Sequence, residues 1–343
     1  MRRIIPAVIL LAIAVVAVVM AVYLIPVLNA SDLSGYTFET AYMGWSWSPE
    51  ARAWNPFASI NYVDGAAYNA MPLAAYSDPT NQLWPVLAKG WELFPQNKTI
   101  IIYIRHHAYW TNGTAIMPFT AWDVYAYLYI TDKAFAAWEP YLMPQNADKD
   151  IIVINNYTIS IHFDLWSPTV WIWILLSGIS TPWFVWKPFV EALKTMNVTE
   201  AFKFGSINIT RFNPPFWSNS PYYLVSVGPT YSTQKLAPLP QIIDEWNKIF
   251  PFNAYQYYPT LLFWNSPPPS TILAAILADK PVYIQWVAMS LLKDIQAVRS
   301  TGKFGTFSMP DLAIFGLTIP TYYPYNIPQV RQAFLYIINR SEA

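Results

Sequence analysis

The sequence predicts an α/β protein that follows an N-terminal transmembrane helix. Three observations support this fold class. Between Leu87 and Tyr129 the residue pattern changes from strands and turns to a capped helix. Strand-like and helix-like segments then continue to alternate as far as Arg340. Ahead of them, an apolar run from Ile4 to Leu28 carries no polar face and is long enough to span a bilayer.

The first elements after the apolar run are predicted to be strands. Apolar and polar residues alternate between Tyr36 and Gly44, which predicts a first strand there. Trp91–Phe94 and Thr99–Arg105 form a hairpin, because the second run is rich in β-branched residues and the polar segment 95–98 separates them. Asn112-Gly113 is a turn dipeptide that predicts a tight turn after this hairpin.

A helix is predicted to begin directly after Thr120. Asp123 lies three residues further on, where an apolar helical run starts. A hydroxyl at the N-cap and an acid at the third helical position together satisfy backbone N–H groups that have no partner within the helix. This capping role explains the acid at position 123 better than a role as a catalytic general acid does.

The later segments predict a second hairpin and further alternation. Ile151 to Phe163 reads as two strands joined across Asn155-Asn156, and the apolar run that ends at Leu176 is too short for a membrane span and predicts a buried helix. The remaining predicted elements are a helix over Ser270–Leu277, a strand over Lys280–Trp286 and an amphipathic helix over Ser290–Arg299.

Residues 1–30 are predicted to be a signal anchor. Arg2 and Arg3 precede the apolar run, and basic residues at this position stay in the cytoplasm, so the rest of the chain lies outside. The run is longer than the 7–15 residues of an ordinary signal-peptide core. The alternative is a signal peptide that is cleaved near Leu28-Asn29-Ala30.

Asn-x-Ser/Thr sequons are frequent and support an exported glycoprotein. Such sites accept glycans outside the cytoplasm. The asparagines are Asn29, Asn97, Asn112, Asn156, Asn197, Asn208 and Asn339.

The composition excludes several classes of function. The formal net charge is zero and charged residues make up 12% of the chain, so no basic surface for nucleic acid is expected. The chain has no cysteine, and His106 and His107 are adjacent on a strand, where side chains face opposite ways. We therefore predict no catalytic residue, no metal site and no cofactor. No phosphate-binding G-x-x-x-x-G-K motif is present either.

Several separated motifs carry a resemblance to a known family. Leu87-Ala88 with Trp91, then Trp110–Gly113, then Thr120–Val124, match the sequence L-A-x-x-W, W-x-D-G and T-A-x-D-V in register. Val330–Arg340 matches V-R-Q-A-L-x-Y-A-I-D/N-R. The chain resembles the extracellular solute-binding proteins of ABC importers, in the dipeptide/oligopeptide-binding family.

Two places depart from the family pattern. Asn112 replaces the acid that usually precedes the turn glycine, and Asn tolerates the same backbone. Ser218 and Ser220 replace both glycines of a G-x-G-P turn. Glycine in such a turn usually supplies positive φ, so the local backbone is expected to differ here.

The resemblance implies a two-lobed, type II periplasmic-binding-protein fold. Residues 31–285 would form the first lobe, a mixed sheet with helices, and would include a helix over Tyr68–Ala75. Residues 286–343 would begin the second lobe. Because the second signature opens that lobe in the family, we expect the chain to be truncated within it at Ala343.

The resemblance also implies a ligand cleft and its partners. The candidate ligand-binding residues follow the first strand, line the cleft turn or lie at the lobe crossover: Trp45, Trp47, Trp54, Asn55, Gln285 and Trp286. Flat aromatic rings offer a large contact area at low entropy cost. The expected ligand is a dipeptide or oligopeptide and the expected partner is a membrane permease. The alternatives are an oligosaccharide-binding receptor, a glycosylated surface module without a transport role, and a secreted carbohydrate-active enzyme.

Overall fold

The computed structural model describes most of the chain from Thr37 onward, in two compact units that divide between Val298 and Arg299. The described residues are 37–43, 55–58, 69–77, 82–167, 169–227, 231–236, 259–264, 268–278, 282–287, 292–300, 302, 323–324 and 326–337. The predicted anchor, residues 1–30, lies outside them. Within the described ranges, no helix has the length and apolar character needed to cross a membrane.

The first unit contains a five-stranded mixed sheet. Its strands are β1 Thr37–Met43, β10 Tyr222–Val227, β11 Tyr231–Leu236, β12 Thr260–Trp264 and β13 Val282–Val287. They lie in the order β10-β11-β12-β1-β13. The strand β1 runs parallel to both of its neighbours, whereas β11 is antiparallel to both β10 and β12. The predicted first strand and the predicted crossover strand are both present.

A second sheet is antiparallel and has four strands: β4 Ala88–Phe94, β5 Thr99–Ile104, β8 Ile151–Asn155 and β9 Thr158–His162. They lie in the order β4-β5-β9-β8, and both predicted hairpins, β4 with β5 and β8 with β9, are confirmed. Alternate residues of β5 and β9 are fully buried, among them Ile100, Ile102, Ile159 and Ile161, so one face of this sheet forms the core.

Two short hairpins complete the strands in the described part of the first unit. They are β2 Ala74–Ser77 with β3 Gln82–Pro85, and β6 Tyr109–Thr111 with β7 Ile116–Pro118. The tight turn predicted at Asn112-Gly113 joins the second pair, and the side-chain oxygen Oδ1 of Asn112 accepts hydrogen bonds from the backbone N–H groups of Thr114 and Ala115. Gly113 has a φ of 91°, which glycine adopts without strain.

The helix α1, Ala121–Phe135, lies against β8 of the four-stranded sheet. It also lies against the helices α4, Trp183–Lys194, and α5, Val198–Phe204. Residues on nearly every side of α1 are buried, including Val124, Leu128 and Ile130. The described helices are α1, α2 Ala147–Asp150, α3 Val170–Leu176, α4 Trp183–Lys194, α5 Val198–Phe204, α6 Pro269–Leu277, α7 Leu292–Ser300 and α8 Pro328–Ile337.

Helix predictions were confirmed at most positions and wrong at one. The helices α3, α6 and α7 occupy segments predicted to be helical, although Trp173 of α3 is 64% exposed. In the segment 68–75, which was expected to be helical, the described residues 71–73 lead into the strand β2, which begins at Ala74. Pro72 has no backbone N–H, and the carbonyl groups of Pro72 and Leu73 accept hydrogen bonds from Val86, Leu87 and Ala88. Extended pairing therefore replaces the helix.

Candidate functional site

The candidate site lies at the carboxyl edge of the five-stranded sheet, where three parallel strands end together. Ala41 of β1 pairs with Trp264 of β12, and Met43 of β1 pairs with Val287 of β13. The two neighbours of β1 come from far later in the chain and lie on opposite sides of it. In open α/β sheets, the crevice at such a switch point, outside the carboxyl ends of the strands, is where ligands bind.

Two of the predicted ligand-binding residues lie at this edge. Trp286 of β13 pairs with Tyr42, while Ile284 pairs with Ala41, so Gln285 is the additional residue of a β-bulge. Bulges re-aim side chains and are over-represented next to functional sites. No local sequence signal predicts the bulge, because the bulge depends on the register of β13 against β1.

Three predicted residues fall outside the described part of the chain. They are Trp45, Trp47 and Trp54. The strand that precedes Trp45 and Trp47 ends at Met43, opposite the end of β13. Their contact with ligand stays a prediction.

Asn55 is described, and its side chain binds the protein's own backbone. The side-chain amide nitrogen donates to the carbonyl oxygens of Ile209 (2.6 Å) and Phe212 (2.8 Å), and the side-chain oxygen accepts from the Phe57 N–H (2.9 Å). Asn55 is only 4% exposed. The side chain thus fastens the turn at residues 55–58 to a segment more than 150 residues later. A direct ligand contact at Asn55 remains a prediction.

Trp264 and Glu39, which the sequence did not single out, brace the same sheet. The indole Nε1–H of Trp264 donates to Glu39 Oε2 at 2.8 Å, and Trp264 is 3% exposed. The Tyr231 ring packs edge-on against Trp264, with ring centroids 5.6 Å apart. These contacts join β1, β11 and β12 and fix the strand ends that border the site.

The turn at Ser218–Ser220 forms without the glycines of the family pattern. Neither serine has positive φ. Ser218 exchanges two backbone hydrogen bonds with Thr111, and the Ser220 hydroxyl donates to the Tyr222 carbonyl at 3.0 Å. Between the serines, the Asn219 side chain accepts from the Met71 N–H and donates to the Ile179 carbonyl, both at 2.7 Å. Hydroxyl and amide groups therefore tie together chain segments that are distant in sequence.

The predicted capping box at the start of α1 is confirmed and is also part of a longer connection. The Thr120 N–H donates to Asp123 Oδ2, and the Trp183 N–H donates to Asp123 Oδ1 at 2.6 Å. Burial raises the pKa of the Asp123 carboxyl to about 7, although the hydrogen bonds from Trp183 and Thr120 act to lower it. Asp123 joins the first turns of α1 and α4.

An acidic cluster lies at the other end of α1 and consists of the buried Asp132 and Asp150 and the partly exposed Asp164. Asp132 is fully buried, and neither of its carboxyl oxygens has a hydrogen-bond partner among the described residues. Burial, followed by the charges of Asp150 and Asp164, raises the pKa of Asp132 to about 7. Burial, followed by the charge of Asp164, raises the pKa of Asp150 to about 6.

The acidic cluster does not have the arrangement of a metal centre. Across the described ranges, no group of three or more His, Cys, Asp or Glu side chains is placed to hold a metal ion. Asp164 instead accepts hydrogen bonds from the Met143 N–H at 3.0 Å and from the Asn146 amide at 2.6 Å.

Comparison with known families decides the classification. The sequence profile of the bacterial extracellular solute-binding proteins, family 5 (middle part), matches residues 82–343. The chain belongs to this family. The resemblance drawn from the motifs is thereby confirmed, and a family 5 solute-binding protein is a receptor for solutes and not an enzyme. No curated protein sequence matches the chain.

Solved structures share the fold of this family 5 protein at low sequence identity. A periplasmic oligopeptide-binding protein of an ABC transporter from Thermotoga maritima is 18% identical, with a TM-score of 0.56 over 89% of this chain and 52% of that one. The structure of the same protein with bound mannohexaose is also 18% identical and has a TM-score of 0.51, over 75% of this chain and 43% of that one.

Two further structures extend the comparison. DppA from Helicobacter pylori, in complex with the peptide STSA, is 13% identical, with a TM-score of 0.50 over 76% of this chain and 49% of that one. MoaA from A. tumefaciens, in complex with mannopinic acid, is 12% identical, with a TM-score of 0.54 over 90% of this chain and 56% of that one. The chain spans about half the length of these structures. The likeness supports the α/β periplasmic-binding-protein fold.

Proposed function

We propose that this family 5 protein is the extracellular substrate-binding component of an ABC importer, which captures dipeptides or oligopeptides and delivers them to a membrane permease. Residues 31–285 would supply the first lobe and residues 286–343 the start of the second. The helix predicted within residues 1–30 would anchor the protein to the cytoplasmic membrane. A binding protein of this type closes its two lobes on the ligand around a hinge.

The β-bulge at Gln285 is the observation that carries this proposal. The bulge interrupts β13 beside the end of β1, at the switch point of the five-stranded sheet. Gln285 offers amide donors and acceptors, which suit the peptide groups of a ligand. Trp286, and Trp45 and Trp47 beyond the end of β1, would supply apolar contact area.

An oligosaccharide is the second candidate ligand. Aromatic residues make up 17% of the chain, and flat rings can stack on sugar rings. The related Thermotoga maritima protein binds mannohexaose. The same edge of the sheet would then bind a sugar chain in place of a peptide.

Ligand-dependent thermal shifts on the full chain test this proposal. A pool of di- to hexapeptides and a pool of neutral hexasaccharides are compared, and hits are titrated by calorimetry. We expect peptides to raise the melting temperature, and Gln285→Ala and Trp286→Ala each to weaken binding by about tenfold.

Trp173→Ala is the matched control, because Trp173 is exposed on α3 and its loss should leave affinity unchanged. A shift with hexasaccharides alone would move the assignment to the second candidate. No shift with either pool would contradict the importer proposal.

A further inference from the structure

A groove on the four-stranded sheet has no role in the site described above. It has a volume of about 660 Å³ and lies between the start of β4, the end of β5 and the turn that joins β8 to β9. Small-molecule sites typically fall between about 300 and 1,000 Å³. The groove is therefore large enough to hold a few linked rings.

Gly90 opens the floor of this groove. It pairs with Tyr103 across the two strands, and a Cβ atom built on Gly90 would meet no atom within 4 Å. Every other residue type would place a side chain in that space. The half-buried Tyr103 ring beside it is held in place, because its hydroxyl donates to Glu92 Oε1 at 3.0 Å.

Aromatic rings also form the opposite wall. The His106 and Tyr157 rings stack with centroids 4.0 Å apart and an interplanar angle of 30°. The turn that carries Tyr157 is fixed from two sides, because its carbonyl accepts from the Ile104 N–H and the neighbouring Asn156 carbonyl accepts from the Ala121 N–H, both at 2.8 Å. These hydrogen bonds hold the turn that carries Tyr157 in place, which reduces the entropy cost of ordering that turn on binding.

The polar groups of the groove favour a neutral ligand that offers hydroxyl groups. Lys89 and Glu92 contribute one positive and one negative charge. The side-chain oxygen Oδ1 of Asn155 accepts a hydrogen bond from the Tyr157 N–H at 2.8 Å, while the side-chain nitrogen Nδ2 of Asn155 has no partner among the described residues. That nitrogen is a donor for a hydroxyl oxygen. Stacked rings, balanced charge and an amide donor together match the chemistry of a saccharide.

We propose that this groove is a second binding site, for a neutral saccharide, separate from the edge of the five-stranded sheet. The saccharide has two sources. It is either a free oligosaccharide or a glycan on Asn156, an exposed sequon asparagine in the turn beside the groove.

The test uses the full chain produced without glycans, with mannohexaose, cellohexaose and maltohexaose as probes in saturation-transfer NMR. We expect binding of at least one probe with a Kd on the order of 1 mM. Gly90→Trp fills the groove and should weaken that binding at least about tenfold. Trp173→Ala changes an exposed ring that does not line the groove and should retain the binding. Far-UV circular dichroism checks that both variants fold.

A second arm separates the two sources and uses glycosylated protein. If the glycosylated wild type binds the free probes as tightly as glycosylated Asn156→Gln does, the groove takes a free saccharide. If only Asn156→Gln binds them, the chain's own glycan occupies the groove. The proposal is overturned if unglycosylated protein binds none of the probes, or if folded Gly90→Trp binds them as the wild type does. Neither result bears on Gln285 and Trp286, so the two proposals fail separately.

Discussion

Replacing Asp132 with asparagine should stabilise the protein at pH 8 and not at pH 4. The carboxyl of Asp132 is fully buried and has no hydrogen-bond partner among the described residues. The charged groups that shift its pKa are Asp150, Asp164 and Glu139, which raise it, and Lys133, which lowers it. The raised pKa means that the folded protein holds this proton more tightly than the unfolded chain does. Its contribution to stability is therefore complete below about pH 4 and is lost as the pH rises through about 7.

The size of this effect follows from the pKa. The pKa of Asp132 rises from 3.8 to about 7, and each pKa unit corresponds to about 1.36 kcal/mol. Ionised Asp132 therefore lowers the free energy of unfolding above pH 7 by at most about 4 kcal/mol. Asparagine has nearly the same shape and no charge to bury. We therefore expect Asp132→Asn to gain about 2–4 kcal/mol relative to the wild type between pH 4 and pH 8.

Urea denaturation at pH 4, 6 and 8, in the same salt, measures this difference. Glu191→Gln is the control, because Glu191 is exposed beside Lys194 and its replacement should shift stability by no more than about 1 kcal/mol at each pH. The reasoning is refuted if the change in unfolding free energy caused by Asp132→Asn is the same at pH 4 and pH 8.

Three further substitutions test the local contacts, each by urea denaturation. Thr120→Ala removes the N-cap hydroxyl of α1 and should cost about 1 kcal/mol; an unchanged midpoint would contradict the capping role. Asn55→Ala leaves two backbone carbonyls without their donor and should cost about 2–3 kcal/mol; a loss below about 0.5 kcal/mol would show that the fastening is weak. Gly113→Ala should destabilise by more than about 1 kcal/mol, since φ is 91° and the new Cβ would overlap the Tyr223 ring. Gly90→Ala, in open space, should be close to neutral, and equal losses at the two glycines would contradict the last prediction.

Elements whose signals lie within a few residues were predicted from the sequence. The capping box needs only Thr120 and Asp123, and the strands Thr99–Ile104 and Thr158–His162 follow from local runs rich in β-branched residues. The prediction of a helix near Pro72 was wrong, because this segment forms backbone hydrogen bonds with residues 86–88. The residue pattern around Pro72 does not indicate that partner.

The candidate site was predicted only in part. Membership of the solute-binding family could be inferred from motifs that occur in register, and the positions of Gln285 and Trp286 near a strand end followed from it. The β-bulge at Gln285 could not be predicted, because it is a property of the pairing between β13 and β1, which are more than 230 residues apart.

The sequence by itself determined the family, the two hairpins of the four-stranded sheet, the capped helix α1 and the tight turn at Asn112-Gly113. Tertiary structure alone decided that Asn55 fastens a distant segment, that Asp132 is buried beside two other acids, and that Gly90 opens a groove. The physical reason is the range of the forces involved. Turns and caps depend on backbone groups within one helical turn, whereas burial of a carboxyl or an amide depends on which remote segments exclude water from it.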